Sequence, residues 1–444
     1  MKLWDKGYSV NKLIEDFTVG KDRELDLFLV PYDVLGSMAH AIMLESIGLL
    51  SNSELTNLLK ELKTIYKQAA EGKFVIDDDE EDVHSQVETM LTAHLGEVGK
   101  KIHSGRSRND QVLVDLKLFA RAEVQSVVEN ATELFGVLMD QAERYQNFLL
   151  PGYTHLQVAM PSSFGLWFSA YAESLTDDML LLQAAYRITN QNPLGSAAGY
   201  GSSFPLNRQM TTDLLGFEQL NYNVVYAQMG RGKMEKSVAF GLASVAATLS
   251  KLAYDVCLYM SQNFGFFSLP DELTTGSSIM PHKKNPDVFE LLRGHCNRLQ
   301  DMPSQIALIV NNLPSGYFRD LQMIKEVFVP AFGDLRDCLK IAAFALKNIR
   351  VKPDILQDDR YKYAFSVEDV NRMVLSGVPF RDAYRKVGQQ IISGVYEPTT
   401  REVHHTHEGS IGHLCLRQIR EKMQSAVAGF HFEKAEQAID RLLK

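Results

Sequence analysis

The sequence of 444 residues has few cysteines and only two tryptophans. Its four cysteines, Cys257, Cys296, Cys338 and Cys415, are far apart and form no Cys-x-x-Cys pair. This spacing argues against a zinc site and against the dense disulfide framework of a small secreted protein. Reduced thiols in the cytosol fit this pattern best.

Positive charge is also in deficit, with 46 lysines and arginines against 55 aspartates and glutamates and a formal net charge of -9. This balance argues against a general affinity for nucleic acid or anionic membranes, so an anionic small-molecule substrate would need a local basic pocket. The start of the chain soon reaches Glu15 and Asp16 and lacks the apolar core of a signal peptide. No apolar run approaches the roughly 20 residues of a membrane span. We therefore expect a cytoplasmic protein.

Proline and glycine are almost absent between Asn109 and Leu150, where apolar residues recur at helical spacing. About 40 residues at ~1.5 Å each give a helix of about 60 Å, and only a bundle or a coiled coil buries such a length. Apolar residues surround several of the predicted helices, as in residues 240–249, which indicates association between subunits. Five long helices are predicted, at residues 109–150, 162–188, 233–263, 286–310 and 324–348.

The predicted fold is all-α, and a chain of this length favours two or three domains. We expect an N-terminal helical domain at residues 1–105, a central long-helix bundle at 106–352 and a C-terminal helical domain at 353–444. The acidic run at residues 77–82 lacks the glycine and the alternating spacing of a calcium loop. We interpret it as a solvated helix N-terminus, where carboxylates complement the helix dipole.

The most informative segment is Gly276-Ser-Ser-Ile-Met-Pro-His-Lys-Lys-Asn-Pro-Asp287, called the signature loop below. It combines a flexible, donor-rich Gly-Ser-Ser start with two lysines and an asparagine, where a helix can begin after Pro286. Such a loop suits the binding of carboxylates and the stabilisation of negative charge, although similar compositions occur in ordinary surface loops. The full string resembles the signature of the fumarase/aspartase superfamily, whose members release fumarate by elimination through a carbanion held as an aci-carboxylate.

Two further strings are similar to motifs of the argininosuccinate lyase family. They are His103-Ser-Gly-Arg-Ser-Arg-Asn-Asp-Gln111 and Pro151-Gly-Tyr-Thr-His-Leu-Gln157. Arg106 and Arg108 could be surface charges and a lone His155 is more often structural, but paired arginines beside Asn109 can also grip carboxylates. Further resemblance at residues 81–88, 192–199, 313–322 and 377–384 extends the similarity from about residue 80 to 390.

The resemblance implies an all-α carbon–nitrogen lyase that splits argininosuccinate into arginine and fumarate without a metal or an organic cofactor. It implies that Ser277 is the base that removes a proton beside a succinyl carboxylate. Lys283 would hold that carboxylate as it gains charge. His155 would deliver a proton to the departing guanidinium nitrogen, and Glu290 would orient and charge His155.

The family pattern also implies substrate-binding roles for a second group of residues. They are Arg108, Asn109, Thr154, Asn285, Tyr317, Gln322 and Lys325. By the same resemblance, the protein is a homotetramer with a five-helix bundle in each subunit and a 20-helix core, and each active site is built from three chains. This organisation would explain how motifs so far apart in sequence can converge.

The chain departs from the family pattern at three places besides residues 3–7. Gly20 lies in a segment that normally supplies a serine to the arginine portion of the substrate, and Ile324 stands where an aspartate is usual. In the string that ends at Lys233, Arg231 is retained while Gly232 departs from the usual residues. All three departures concern the leaving-group side. We therefore hypothesise that the pocket accepts an argininosuccinate whose α-amino group is modified, for instance N-acylated.

Three other interpretations stay open at this point. The first is a sibling lyase such as adenylosuccinate lyase, aspartase or fumarase, against which the strings at residues 103–111 and 377–384 argue. The second is a non-catalytic role like that of lens crystallins, against which the intact set of predicted catalytic residues argues. The third is a metal site at His404, His405, His407 and His413, which are more often solvated polar residues.

Overall fold

The computed structural model describes residues 11–444, so the departure at residues 3–7 lies outside the described residues. The helices are α1 (Lys12–Val19), α2 (Asp22–Asp26), α3 (Val30–Ser46), α4 (Asn52–Ala70), α5 (Val83–Leu95), α6 (Glu97–Lys100), α7 (Arg108–Arg144), α8 (Phe164–Thr189), α9 (Arg208–Leu214), α10 (Val224–Met229), α11 (Lys233–Met260), α12 (Asp287–Leu299), α13 (Met302–Ile309), α14 (Ile324–Lys347), α15 (Ser366–Leu375), α16 (Phe380–Ile392), α17 (Leu416–Ala428) and α18 (Phe432–Leu443). Short 3-10 helices span Lys101–His103, Asp271–Leu273, Arg319–Met323, Ile355–Gln357 and Asp359–Phe365.

The strands of the described residues form three separate pairs, which confirms the all-α fold class. The antiparallel hairpin joins β1 (Leu149–Thr154) to β2 (Gln157–Ser163), with Leu150 opposite Ser162. The other pairs have two residues per strand: β3 (Gln191–Asn192) lies parallel to β4 (Gln219–Leu220), and β5 (Phe267–Ser268) lies antiparallel to β6 (Arg350–Val351).

The long helices α7, α8, α11, α12 and α14 pack side by side as a bundle. One continuous apolar core runs through them, in which Phe168, Leu242, Phe289 and Phe332 are fully buried. Apolar side chains at helical spacing place this stripe inside each helix, so burial rather than helix propensity stabilises such lengths. The predicted bundle of five long helices is present, with the differences at its ends described next.

Two predicted helix boundaries were wrong. Helix α7 ends at Arg144 rather than Leu150, because the apolar residues before Pro151 turn and enter β1 instead of extending the helix. The helix predicted at residues 286–310 is broken into α12 and α13. Pro303 has no N–H with which to bond the Leu299 carbonyl, so the helical hydrogen-bond pattern is interrupted there.

The start of α7 is defined by its cap. Ser107 has an extended backbone, and its side chain accepts a hydrogen bond from the Asn109 N–H at 3.2 Å. Asp110 completes the box by accepting the Ser107 N–H at 2.8 Å. This arrangement satisfies amide groups that a helix start otherwise leaves unpaired. It also holds Arg108 and Asn109 in the first turn of a rigid helix.

A second apolar core lies in the N-terminal region, where α3, α4 and α5 pack together around Leu58, Leu62 and Leu91. The helices of the C-terminal segment do not form one unit. Helices α15 and α16 enclose a small core around Val387, whereas α17 packs on α8 and α18 packs on α3 and α9. The domain limits at residues 105 and 352 therefore stay a prediction.

Helix α11 is long and apolar enough to pass a length-and-composition test for a membrane span, although half of the qualifying window is buried inside the structure. Its neighbours α8, α12 and α14 cover that buried side. This is the environment of a bundle helix.

Candidate active site

Five of the predicted binding residues, Arg108, Asn109, Tyr317, Gln322 and Lys325, line one cavity of about 170 Å³. The first two lie in the first turn of α7, and the other three lie in or beside the segment that leads into α14. The fold therefore brings together, at one cavity, residues that are some 200 positions apart in sequence. The remaining lining residues are Asp22, Asp26, Glu81, Asp82, His84, Val112, Arg231 and Arg319.

Arg108 is held by two acidic side chains that precede α5. Its guanidinium lies 3.0 Å from a Glu81 carboxylate oxygen and also pairs with Asp82. Burial opposes the charge of Arg108, but the two carboxylates outweigh it and raise its pKa. Asp82 also caps α5 by accepting the Ser85 N–H at 2.9 Å. Arg108 is therefore a fixed cation at the cavity wall.

The acidic run is a helix N-terminus, as predicted, but its last three residues are not solvated. Glu80, Glu81 and Asp82 are between 3% and 6% exposed. Burial disfavours the charge of Asp82, but His84 and Arg108 outweigh it and hold the pKa of this carboxyl below its usual value. The prediction failed because the pairing of Glu81 and Asp82 with Arg108, on another helix, cannot be seen locally.

Lys325 enters the cavity from the first turn of α14 and is only 3% exposed. Its ammonium lies 2.7 Å from carboxylate oxygens of both Asp22 and Asp26. Burial alone would lower the pKa of Lys325, but these carboxylates raise it. Burial also raises the pKa of Asp22 to about 6, with Lys325 acting in the opposite direction. The predicted role of Lys325 in binding stays a prediction.

Gln322 ties the cavity to the end of α1. Its side-chain amide donates to the Thr18 and Val19 carbonyls at 3.0 Å each. Gly20 follows with a φ of +55°, a backbone conformation that favours glycine, and a Cβ there would lie 3.8 Å from the same amide. The Gly20 departure therefore lies against Gln322, next to a residue predicted to bind substrate.

Several residues that line the cavity had no predicted role. Arg319 stands in the quoted string at residues 313–322 and donates to the Thr18 carbonyl at 2.9 Å and to the Gln322 side chain at 3.2 Å. The string at residues 81–88, which resembles the family sequence, contains three more of them: Glu81, Asp82 and His84. These strings were the available signals.

His84 belongs to a buried network behind the cavity. Its Nδ1 lies 2.8 Å from Asp33 and 3.5 Å from Asp115. Burial disfavours the charged ring, but Asp33 and Asp115 outweigh it and raise the pKa of His84 to about 9. The three groups are close enough to hold a metal ion, but they already form an ion pair among themselves, and the buried Arg106 adds positive charge nearby. The arrangement fits an ion-pair network better than a metal site.

The signature loop is closed by a backbone bridge. The Asn285 N–H donates to the Thr275 carbonyl at 2.8 Å, and its side-chain amide reaches the Gly276 carbonyl at 3.3 Å. Inside the loop, the Ser277 hydroxyl accepts the Met280 N–H at 3.2 Å. Such an amide donor favours a negatively charged oxygen at Ser277. Lys283 is exposed in the same loop.

Glu290 lies on α12, the helix that begins after Pro286 as expected, and its side chain is exposed. The Pro286 carbonyl accepts its N–H at 3.1 Å, which places it at the end of the first turn. The signature loop and Glu290 therefore form one continuous surface element.

Thr154 and His155 lie at the tip of the β1–β2 hairpin and are exposed. His155 and Leu156 form its two-residue turn, with φ values of +55° and +56°. Two positive φ values match the twist of a hairpin, but they are costly for residues other than glycine. Strain of this kind is often found at functional sites, and here it presents the His155 ring to the outside.

The predicted set thus forms three separate patches on one chain. Within residues 11–444, none of Ser277, His155, Lys283 and Glu290 lines the cavity that holds Arg108. The histidines near residue 405 form a different structure, because His405 bonds Ser410 at 2.7 Å and Glu368 at 3.2 Å. Those contacts give His405 partners without a metal.

Comparison with known proteins matches this chain to a family described as Lyase over residues 7–300. The argininosuccinate lyase of Bacteroides fragilis is 66% identical over 442 residues, which span 100% of this chain and 99% of the relative. The argininosuccinate lyase of Thermotoga neapolitana is 37% identical over 88% of this chain and 98% of the relative.

Two solved structures share the fold at low sequence identity. An EDDS lyase in complex with formate has a TM-score of 0.78 and 22% identity, covering 98% of this chain and 94% of that one. A class II fumarase from Schistosoma mansoni has a TM-score of 0.72 and 16% identity, covering 93% and 90%. These likenesses concern the helical-bundle fold alone.

Proposed function

The chain belongs to the argininosuccinate lyase family, and we propose that its reaction takes place where the three patches of the candidate site meet. It is a carbon–nitrogen lyase that eliminates fumarate from argininosuccinate and leaves arginine. The observation that carries this function is the 66% identity along essentially the whole of both chains. The cavity supports it, because arginine, lysine, amide and phenol groups converge there.

Ser277 takes the proton from the succinyl carbon beside the carboxylate, and the electron pair left on that carbon passes into the carboxylate. Lys283 and Asn285 hold the carboxylate as it gains charge. Their positive charge and amide donor lower the barrier because they stabilise the negative charge that develops there. The stored electron pair then returns to form the carbon–carbon double bond of fumarate while the carbon–nitrogen bond breaks. The electrons of the broken bond go to the guanidinium nitrogen, and His155 supplies the proton to that nitrogen. Glu290 orients and charges His155 in this scheme.

A homotetramer is the simplest way to assemble these groups. Four of the bundle helices, α8, α11, α12 and α14, carry large apolar side chains that remain exposed on a single chain, including Leu180, Phe240, Leu291 and Phe344. Exposed apolar surface of this extent is typical of subunit interfaces. Separate placement of the cavity, the signature loop and the hairpin on one chain supports a site completed by partner subunits.

We place the enzyme in the cytoplasm. Its four cysteines are free thiols in the structure, and two of them, Cys296 and Cys338, are buried in the bundle. Free thiols persist in reducing compartments.

A modified substrate is the second candidate, and a specific contact favours it. Gly232 and Ile324, two of the departures from the family pattern, lie near each other beside Val310, since a Cβ at Gly232 would lie 2.3 Å from the Val310 side chain and 3.6 Å from that of Ile324. Ile324 is 1% exposed, so an apolar contact fills this place. The carboxylates of Asp22 and Asp26 pair with Lys325. A free α-ammonium of the substrate would therefore find fewer unpaired carboxylates to bind. An N-acylated argininosuccinate has no such ammonium and does not need them.

The test follows fumarate absorbance after argininosuccinate is mixed with the purified protein, a Ser277→Ala variant and a Ser53→Ala control on the exposed start of α4. We expect fumarate release by wild type and control, and a rate lowered by at least about a thousandfold in Ser277→Ala. Activity retained by Ser277→Ala would remove Ser277 from its role. Parallel reactions with Nα-acetyl-argininosuccinate decide the second candidate, because a strong preference for the unmodified substrate would exclude it.

A further inference from the structure

We propose that Arg319 determines specificity by binding the α-carboxylate at the arginine end of the substrate. This inference rests on the proposed function and adds a residue to it. Arg319 lies on the turn at Arg319–Met323, directly before α14, and its side chain lines the cavity.

The charge pattern of the cavity singles out this residue. Lys325 is neutralised by Asp22 and Asp26, and Arg108 is engaged by Glu81 and by Asp82. The third lining cation, Arg231, has its own carboxylate partner in Glu235 at 2.9 Å. In the part of the chain that the structure describes, Arg319 contacts no carboxylate and bonds only neutral groups.

The guanidinium of Arg319 has spare donors. One Nη donates to the Thr18 carbonyl, and Nε donates to the Gln322 side-chain oxygen. An arginine carries five N–H donors in a planar fork, so the other Nη remains able to meet a carboxylate. The two existing contacts hold the fork in place, which reduces the entropy lost when an anion binds.

The position of Arg319 indicates which carboxylate it meets. Its partners Thr18 and Gln322 border Gly20, which lies in the segment that the family pattern assigns to the arginine portion of the substrate. Ile324, another departure on the leaving-group side, is five residues further along the chain. The succinyl carboxylates have other candidate partners in Lys283 and Asn285. Arg319 is therefore the candidate partner of the third carboxylate, the α-carboxylate at the arginine end. An N-acylated substrate would keep this carboxylate.

The experiment pairs a protein change with a substrate change. Wild type, Arg319→Gln and Arg319→Lys are assayed with argininosuccinate and with its counterpart made from agmatine, which lacks only the α-carboxylate. We expect Arg319→Gln to lower kcat/KM for argininosuccinate by about tenfold to a hundredfold, mainly through KM, because a charged hydrogen bond of this kind contributes to binding throughout the reaction. For the agmatine-derived substrate, Arg319→Gln should lower kcat/KM by less than about threefold, because this substrate lacks the carboxylate that Arg319 would bind.

Arg319→Lys should fall between wild type and Arg319→Gln, because it keeps the charge but loses the fork. Arg417→Gln, on an exposed face of α17, serves as the matched control and should leave both substrates unchanged. Equal losses on both substrates in Arg319→Gln would overturn the proposal, because they would mean that Arg319 only braces Thr18 and Gln322. Absence of fumarate from wild type with either substrate would instead contradict the proposed function.

Discussion

Replacing Lys325 with methionine should destabilise the protein strongly, because it leaves the buried Asp26 and the partly buried Asp22 without their cation. Lys325 is 3% exposed and lies 2.7 Å from both Asp22 and Asp26, of which Asp26 is 1% exposed. Removing one partner from a buried ion pair costs about 3–5 kcal/mol. We expect a loss of that size in the free energy of unfolding at pH 8, measured by urea titration at a fixed protomer concentration.

The pH dependence of this loss gives a sharper test. Burial already raises the pKa of Asp22 to about 6, above its unfolded value near 4, and Lys325 is the main group that lowers it. A carboxyl with a raised folded pKa contributes stability below its unfolded pKa and loses it as pH rises through the folded pKa. Without Lys325 the folded pKa rises further. The deficit of Lys325→Met should therefore be smallest near pH 5 and should grow above pH 6.

Two controls isolate the charge effect. Lys67→Met removes an exposed partner of Glu71 and should leave the free energy of unfolding nearly unchanged. Asp22→Asn combined with Lys325→Met should recover part of the loss, because one of the two unpaired charges is gone. A deficit no larger than that of Lys67→Met, or one that does not vary between pH 5 and pH 8, would refute the reasoning.

Two further predictions concern backbone elements of the site. Leu156→Gly should raise the free energy of unfolding by roughly 0.5–1 kcal/mol, since glycine adopts the observed φ of +56° without strain, and thermal unfolding measures it. Asp110→Asn should cost about 1–3 kcal/mol in urea titration, because Asp110 accepts the Gly195 and Ala197 N–H groups at 2.9 Å and an amide cannot accept them all. An increase in stability with asparagine would show that relief from burial of the charge outweighs these bonds.

The long helices could be predicted from sequence because their apolar residues repeat at helical spacing. Helix α14 was predicted at residues 324–348 and is found at Ile324–Lys347, and α8 begins directly after its Ser163 cap. The end of α7 could not be predicted, because no glycine or proline lies between Arg144 and Pro151. The apolar residues that lead into β1 serve a strand as well as they serve a helix.

The candidate site could be predicted one segment at a time but not as an assembly. Arg108 and Lys325 were identified from separate strings, yet their carboxylate partners were not. Lys325 and Asp22 are about 300 positions apart, and no local pattern encodes such a contact. The acidic run shows the same limit, since its burial depends on Arg108 from another helix. Local strings carry chemistry, whereas the pairing that sets charge and pKa is a property of the tertiary structure.

The pairing of charges within the cavity has a consequence for how substrate is attracted. Argininosuccinate carries three carboxylates, but most cations of the cavity are already neutralised by Asp22, Asp26 and their counterparts. Among the cavity-lining cations and the predicted site residues described within 11–444, Arg319 and the exposed Lys283 have no carboxylate partner. Arg319 lies at the cavity and Lys283 lies on the signature loop. On the proposed mechanism, binding at the arginine end leaves the two succinyl carboxylates for Lys283 and Asn285 of the signature loop.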